Sequence, residues 1–289
     1  KEIGGYSVIK RLGAGGMGEV FKVRHNLTGR VAALKLMLPL KKSDNRSLRR
    51  FHREISMMQV FEHPNLVRLF EAGQEGPAPY FISEFVPGGD LSQFISDDGT
   101  PTLTPDQTVR CIADALVGLE YFHKATYVHR DLKPENILLC RENAKFQPKV
   151  ADFGLAKCYE KHGGTTTREG EFAGTWMYMP PEQITDFKYS RPPVDVYAMG
   201  VTLYYLLCGC SPLPGFPAPW EVKARPNQIR LKKEPFKIIL DDQRIPLRQQ
   251  NVKLPSEICE VVDKALSMKA VNRYQTAEEF RQALLSVIV

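Results

Sequence analysis

His129-Arg130-Asp131-Leu132-Lys133-Pro134-Glu135-Asn136, followed sixteen residues after its asparagine by Asp152-Phe153-Gly154, is the stretch on which the reading of this chain turns. Asp131 is a carboxylate that can accept a proton from a hydroxyl or hold that hydroxyl in orientation. Lys133, two residues along, can reach a neighbouring oxyanion and stabilise charge developing on it. Asn136 and Asp152 offer oxygen ligands of the kind magnesium prefers, with waters completing its shell. Between them Ile137-Leu138-Leu139 and Lys149-Val150-Ala151 have strand character, separated by the polar stretch 141–148. The spacing predicts a loop, a short hairpin and a second loop, which brings two metal ligands to one place. A lone Asp-Phe-Gly is an ordinary turn, but the full octet with the triplet downstream is one mechanical set.

The rest of the chain supplies further parts in order. Residues 6–12 read as a strand ending at Leu12, and Gly13-Ala14-Gly15-Gly16-Met17-Gly18-Glu19-Val20 turns back into Phe21-Lys22-Val23. Glycines permit close backbone approach, so amides at such a tip can cover phosphates. The same spacing marks dinucleotide-binding turns that lead into a helix; here a strand follows, which disfavours that alternative. Val31-Ala32-Ala33-Leu34-Lys35 is an apolar strand ending in one lysine. Residues 47–61 show helical spacing of Leu48, Phe51, Ile55 and Met58, with Glu54 among them as the expected partner of Lys35. Residues 79–86 form a buried-looking strand running into Pro87-Gly88-Gly89-Asp90-Leu91. After the triplet come Thr165-Thr166-Thr167, Gly174-Thr175 and Pro180-Pro181-Glu182, then a long apolar helix from Asp195 to Leu207.

Together these residues resemble a eukaryotic-type serine/threonine protein kinase domain, and the match covers essentially the whole chain. Gly15-Gly16-Met17-Gly18 and Arg273-Tyr274-Gln275-Thr276-Ala277-Glu278-Glu279-Phe280 are similar to the bacterial members. The resemblance implies an α+β, two-lobed fold. Residues 1–86 would be a small antiparallel β-sheet lobe with one regulatory helix, and residues 87–289 a larger, mainly α-helical lobe with catalytic loop and activation segment.

It implies ATP with Mg2+, or Mn2+ in its place, and transfer of the γ-phosphoryl group to Ser or Thr of proteins; Lys133 and Gly174-Thr175 point to those acceptors. It places Leu12, Gly13, Gly15 and Gly18 about the nucleotide, Val20 and Ala33 above the adenine and Leu138 below it. The Glu84 carbonyl and Val86 amide would meet the adenine edge, with Ser83 at the gatekeeper position. Lys35, held by Glu54, would meet the α- and β-phosphates. Asp90 would touch the ribose or a basic substrate side chain. Asp195 is expected to hold the backbone of the His129-Arg130 turn, and Glu182 to pair with Arg273. Pro180 departs from the usual Ala-Pro-Glu. A spine of Met58, Leu69, Phe153 and His129 is expected to assemble in the active state.

Arg50, one turn before Glu54, would form a basic pocket with Arg130 and Lys157. Three packed cations repel one another unless an anion joins them, so phosphate on one of Thr165 to Thr167 is expected to order the segment. Self-association for phosphorylation in trans follows from the same reading. Two other readings stay open: a nucleotide-binding scaffold, which needs no proton acceptor such as Asp131, and a small-molecule phosphotransferase, which usually lacks the peptide-docking segment.

At 289 residues and 43% hydrophobic content the chain can bury a sizeable core. No stretch of eighteen apolar residues spans a membrane and no signal peptide precedes the glycine loop. The six cysteines show no metal spacing and read as reduced, cytoplasmic thiols, with Cys158 the one to flag for exposure. The abrupt ends read as those of a domain excised from a longer chain, one that could carry a membrane anchor. Net charge is +6, and residues 1–86 hold 14 Lys and Arg against 8 Asp and Glu, so the excess is all in that part. No aromatics interleave with these basic residues, so no nucleic-acid partner is expected. The Pro-punctuated tract 212–255 is expected to replace or extend a peripheral helix.

Overall fold

The computed structural model describes residues 1–15, 18–39, 55–56, 58–142, 145–152, 176–185, 191–225, 228 and 230–288. These fall into two compact units, one formed from Lys1–Pro87 and the other from the described residues of Gly88–Phe153 and Arg168–Val289.

In the first unit, β1 (Glu2–Ile3), β2 (Tyr6–Gly15), β3 (Gly18–His25), β4 (Val31–Met37), β5 (Leu69–Glu75) and β6 (Ala78–Glu84) make one sheet in the order β1-β2-β3-β4-β6-β5. All neighbours run antiparallel. Side chains alternate between the two faces of a strand, and residues directly opposite one another share a face. Val23 opposes Ala32, Phe21 opposes Leu34, and Leu34 opposes Ile82. These residues, with Ile3, Tyr6 and Tyr80, bury one face. Met37, Leu69 and Phe81 bury part of the other against Ile55, with Met58 packed beside them. The helix expected over residues 47–61 is seen at Ile55, Ser56 and Met58; residues 40–54 and 57 lie outside the described set.

In the second unit, α1 (Pro105–Lys124) starts at a reciprocal cap in which Thr104 and Gln107 satisfy each other's backbone N–H. The apolar run predicted from Asp195 becomes α3 (Pro192–Cys208), which follows the short α2 (Pro181–Thr185). Every residue of α3 from Pro193 to Leu207 is buried, so this is the central core helix of the unit. Burying a side chain such as Leu203 or Val201 contributes about 2 kcal/mol. The helix stops at Gly209, whose φ of 72° is the left-handed closure glycine permits.

Among its described residues the tract 212–255 contains three short helices, α4 (Pro219–Ala224), α5 (Pro235–Asp241) and α6 (Leu247–Gln250). A proline stands at the first turn or cap of each, where the missing N–H costs nothing. They are followed by α7 (Ser256–Ala265) and α8 (Ala277–Leu285), the latter capped by Thr276.

The hairpin predicted after the octet is β7 (Ile137–Glu142) with β8 (Lys145–Val150), and one expectation is corrected there. The polar residues 141–148 are largely strand, not connecting loop. Phe146 and Pro148 stay in register opposite Arg141 and Leu139. A two-stranded ribbon has only edge strands, so both polar side chains and a proline are tolerated.

Candidate active site

The octet loop is built around three buried backbone anchors. Asp195, in the first turn of α3 and fully buried, accepts the His129 N–H at Oδ2 (2.7 Å) and the Arg130 N–H at Oδ1 (2.8 Å). Its Oδ2 also lies 2.8 Å from Nε2 of His123, near the end of α1. Burial alone would raise the Asp195 carboxyl. The His123 hydrogen bond and the Arg130 N–H carry it below its ordinary value instead.

His129 is the second anchor. Its Nε2 is 2.8 Å from the Ala151 carbonyl, which can only accept, so Nε2 carries the proton and Nδ1 accepts the Asp131 N–H at 3.3 Å. The ring is thus neutral, in keeping with a pKa lowered by burial and only partly offset by the charges of Asp195, Asp131 and Asp152. One imidazole ties the amide of Asp131 to the residue preceding Asp152.

The third anchor is Asn136. Its Nδ2 donates to the Asp131 carbonyl (2.7 Å) and to Asp131 Oδ2 (3.2 Å), and its own carbonyl accepts the Ala151 N–H at 2.8 Å. Ala151 is therefore held at both ends, and the pairing of Ile137 with Val150 continues the same register. Lys133 Nζ lies 3.9 Å from Asp131 Oδ2. Arg130 and Asp152 both have left-handed backbones, at φ 67° and 57°. Non-glycine residues are uncommon there and collect at functional sites, where surrounding bonds hold them.

Asp131, Lys133, Asn136 and Asp152 are thereby gathered on one loop-hairpin-loop. The Asn136 NH2 is spent on Asp131, so its side-chain oxygen is the atom suited to a cation, with the Asp152 carboxylate as the second candidate donor. Two oxygen donors fit magnesium, which keeps several waters. Among the described residues no cluster of three His, Cys, Asp or Glu forms a cage of protein ligands.

Two residues that sequence reasoning did not mark for the site support it. Gln183, 3% exposed and next to Glu182, donates to the Arg130 carbonyl at 3.0 Å. His123 braces Asp195 across 72 positions. Nothing local in the sequence marks either. The expected Glu182–Arg273 pair is present and bidentate, at 2.6 and 3.0 Å. The other N–H groups of Arg273 go to the carbonyls of Ser267, Pro193 and Met268, so all five donors of this buried guanidinium are used.

Leu138 is positioned by the Gly88-Gly89-Asp90 turn. Gly88 N–H donates to Leu139 O (2.9 Å), Leu139 N–H donates to Gly89 O (2.8 Å), and Asp90 bridges Leu138. A Cβ on Gly88 would lie 2.1 Å from the Leu139 carbonyl. Asp90 Oδ1 accepts from the backbone and hydroxyl of Ser92, so one carboxylate oxygen serves as a helix cap.

In the first unit, the register puts Val20 opposite Lys35, and Ala33 opposite Ser83. These four share the sheet face on which Phe81 and Met37 pack with Ile55, and the Lys35 ammonium lies 5.9 Å from the Phe81 ring centre. The Glu84 side chain accepts the Arg68 N–H at 3.3 Å, and Val86 is buried. Leu12 is 43% exposed, and Gly13 and Gly15 border open space. Gly18, at φ 145°, would place a Cβ 2.1 Å from the Leu36 carbonyl, so no other residue fits there unstrained. Glu54, Arg50, Phe153, Lys157, Thr165, Thr166, Thr167 and Gly174-Thr175 lie outside the described residues.

A neutral histidine thus joins one carboxylate, a lysine, an asparagine and a second carboxylate on one loop-hairpin-loop. The chain matches the protein kinase domain over residues 6–285 and belongs to that family. It is 32% identical over 286 residues to the serine/threonine-protein kinase PknB of Mycolicibacterium smegmatis, covering 98% of this chain and 43% of the relative. To the serine/threonine protein kinase OSK3 of Oryza sativa it is 35% identical over 207 residues, 72% of this chain and 39% of that one. The chain thus spans less than half the length of these curated relatives. The fold is that of the kinase domain of PknI from Mycobacterium tuberculosis, solved as a double mutant, with a TM-score of 0.73 at 23% identity over 99% of this chain and 96% of that one. The chain is a kinase domain of the serine/threonine type, in a family that uses ATP and a divalent metal and acts on proteins. Among the described residues no helix is long and apolar enough to cross a membrane.

Proposed function

We propose that this chain transfers the γ-phosphoryl group of Mg-ATP to serine or threonine hydroxyls of proteins. The observation that carries the proposal is the His129 ring, which bridges the Asp131 amide and the Ala151 carbonyl and so ties together the segments that bear Asp131 and Asp152. Phosphoryl transfer asks the protein chiefly for positioning and charge stabilisation. Asp131 orients the acceptor hydroxyl and takes its proton, and Lys133 stabilises charge on the transferring oxygens. Asn136 and Asp152 would hold magnesium, which neutralises phosphate charge and aligns it. Lys35, paired with Glu54, would hold the α- and β-phosphates. Leu12, Gly13, Gly15, Gly18, Val20, Ala33, Ser83, Glu84, Val86, Asp90 and Leu138 would receive the rest of the nucleotide. Mn2+ would serve in place of Mg2+.

Phosphate on Thr165, Thr166 or Thr167, docking on Arg50, Arg130 and Lys157, would order the activation segment. Two copies would meet transiently for that reaction in trans. The working compartment would be the cytoplasm, for this domain alone or as part of a longer protein. Residues 1–86 would act as the nucleotide-binding lobe and 87–289 as the catalytic and substrate lobe.

Incubation of the chain with Mg-ATP and a generic basic protein, followed by mass spectrometry, tests this. Phosphoserine or phosphothreonine should appear with the wild type only; equal labelling by Asp131→Asn would exclude the proposed role.

A further inference from the structure

The carboxyl-terminal end of α3 carries a pair of thiols that phosphoryl transfer does not use. Cys208 is the last residue of the helix, Gly209 follows in the left-handed region, and Cys210 comes next. The Gly209 N–H donates to the Tyr205 carbonyl at 2.7 Å, so the chain reverses sharply between the two cysteines. The Cys208 thiol donates to the Tyr204 carbonyl at 3.2 Å and lies 3.9 Å from the Cys210 carbonyl. Cys208 and Cys210 flank Gly209 in this turn, close enough for each side chain to shift the other's pKa. Both are free and partly exposed, whereas Cys111 and Cys259 are buried.

The turn is clamped from outside. Trp220 Nε1 donates to the Gly209 carbonyl at 2.9 Å, and a Cβ on Gly209 would lie 1.8 Å from the Gly99 carbonyl. The backbone of the turn that joins the two cysteines is therefore held in place. We propose that Cys208 and Cys210 are a modification site: a dithiol that hydroperoxides convert reversibly to an intramolecular disulfide.

The neighbouring Cys208 side chain draws the Cys210 thiol down to about 7, against burial and the Glu221 carboxylate. Its proximity to Cys210, together with burial, pushes Cys208 up. Cys210 is then the thiolate near neutrality and Cys208 the resolving thiol. The Cys210 thiolate attacks one peroxide oxygen. The O–O bond breaks, giving a sulfenic acid on Cys210 and hydroxide, which takes a proton from solvent. Cys208 then attacks the Cys210 sulfur, forming the S–S bond and expelling the sulfenic oxygen as water with the Cys208 proton. Two thiols are oxidised by two electrons, one peroxide is reduced, and two waters leave. A disulfide spanning a single residue departs from relaxed geometry, so it is readily reduced and suits a reversible role.

Both cysteines fall on one tryptic peptide, ending at Lys223, that contains no other cysteine. The wild-type chain is treated with hydrogen peroxide, denatured in N-ethylmaleimide, digested without reductant and weighed. The peptide should have lost two hydrogen atoms and carry no maleimide, and should gain two maleimides when dithiothreitol precedes alkylation. In Cys208→Ser, dimedone should trap a sulfenic acid on Cys210; in Cys210→Ser, Cys208 should stay reduced over the same time. The proposal is overturned if both cysteines of the peroxide-treated wild type still take maleimide. It is equally overturned if Cys210 passes to sulfinic acid with Cys208 left alkylatable, or if either pairs with a cysteine outside this peptide. The wild-type result decides the question even if a serine variant fails to fold.

Discussion

The Asp195 carboxylate accepts the backbone N–H of His129 at 2.7 Å across 66 residues of sequence, and so ties the core helix to the loop that bears Asp131. The second oxygen takes the Arg130 N–H, which steadies a left-handed residue beside the acceptor carboxylate. Asp195→Asn puts an NH2 group against one of these donors and removes a fully buried charge that three partners satisfy. Urea unfolding should show a loss of about 3 kcal/mol. The kcat should fall further than the KM for ATP rises, because Asp131 loses its orientation while the nucleotide residues of the sheet are untouched.

His129 gives a pH dependence of definite sign. Its folded pKa lies below the ordinary 6.5 because burial disfavours the cation. Between that value and 6.5 the unfolded chain binds a proton that the folded chain does not. The contribution to stability is therefore complete above 6.5 and is lost as pH falls toward the folded value. Asp195, also lowered, adds a second loss only below its ordinary 3.8. The urea midpoint should decline from pH 7 to pH 5, and His129→Phe should flatten that slope. An unchanged slope in the variant would assign the titration elsewhere.

Arg273 uses all five N–H groups in a buried setting, two of them on Glu182. Lysine has three donors and no planar fork, so Arg273→Lys strands carbonyls of the Ser267–Met268 turn and Pro193. A loss of roughly 2 kcal/mol is expected by denaturant titration. Turnover of a peptide acceptor should fall with it, since Glu182 sits next to Gln183, which holds the Arg130 carbonyl.

The parts carried by short-range signals were legible in the sequence. The octet, the hairpin after it, the glycine turn and the apolar helix from Asp195 each follow from residue spacing. The Glu182–Arg273 and Asp195–His129 links followed from the family resemblance. Gln183 and His123 were not legible, because each acts through one hydrogen bond to a group 53 or 72 positions away. The strands in 141–148 were misread because a two-stranded ribbon tolerates polar residues and a proline in a stretch whose composition reads as loop. The turn that joins Cys208 to Cys210 depends on a left-handed Gly209 that spacing alone does not reveal.

The activation segment gives a prediction of regulation. Replacing Thr165, Thr166 and Thr167 together by alanine should lower activity at least tenfold if phosphate there gathers Arg50, Arg130 and Lys157, a loss of about 1.4 kcal/mol or more. Phosphate mapping of the wild type beside the triple variant checks this, and a variant as active as the wild type would remove the idea.

Nucleotide affinity and turnover, measured side by side on Asp131→Asn, test the central claim most directly. Asn136 Nδ2 lies 3.2 Å from Asp131 Oδ2, and an asparagine at 131 can keep that contact through its amide oxygen while losing the ability to accept a proton. Mg-ATP binding should stay within about twofold of wild type while kcat falls by about a thousandfold, roughly 4 kcal/mol of transition-state stabilisation. Near-wild-type turnover in that variant would contradict the claim.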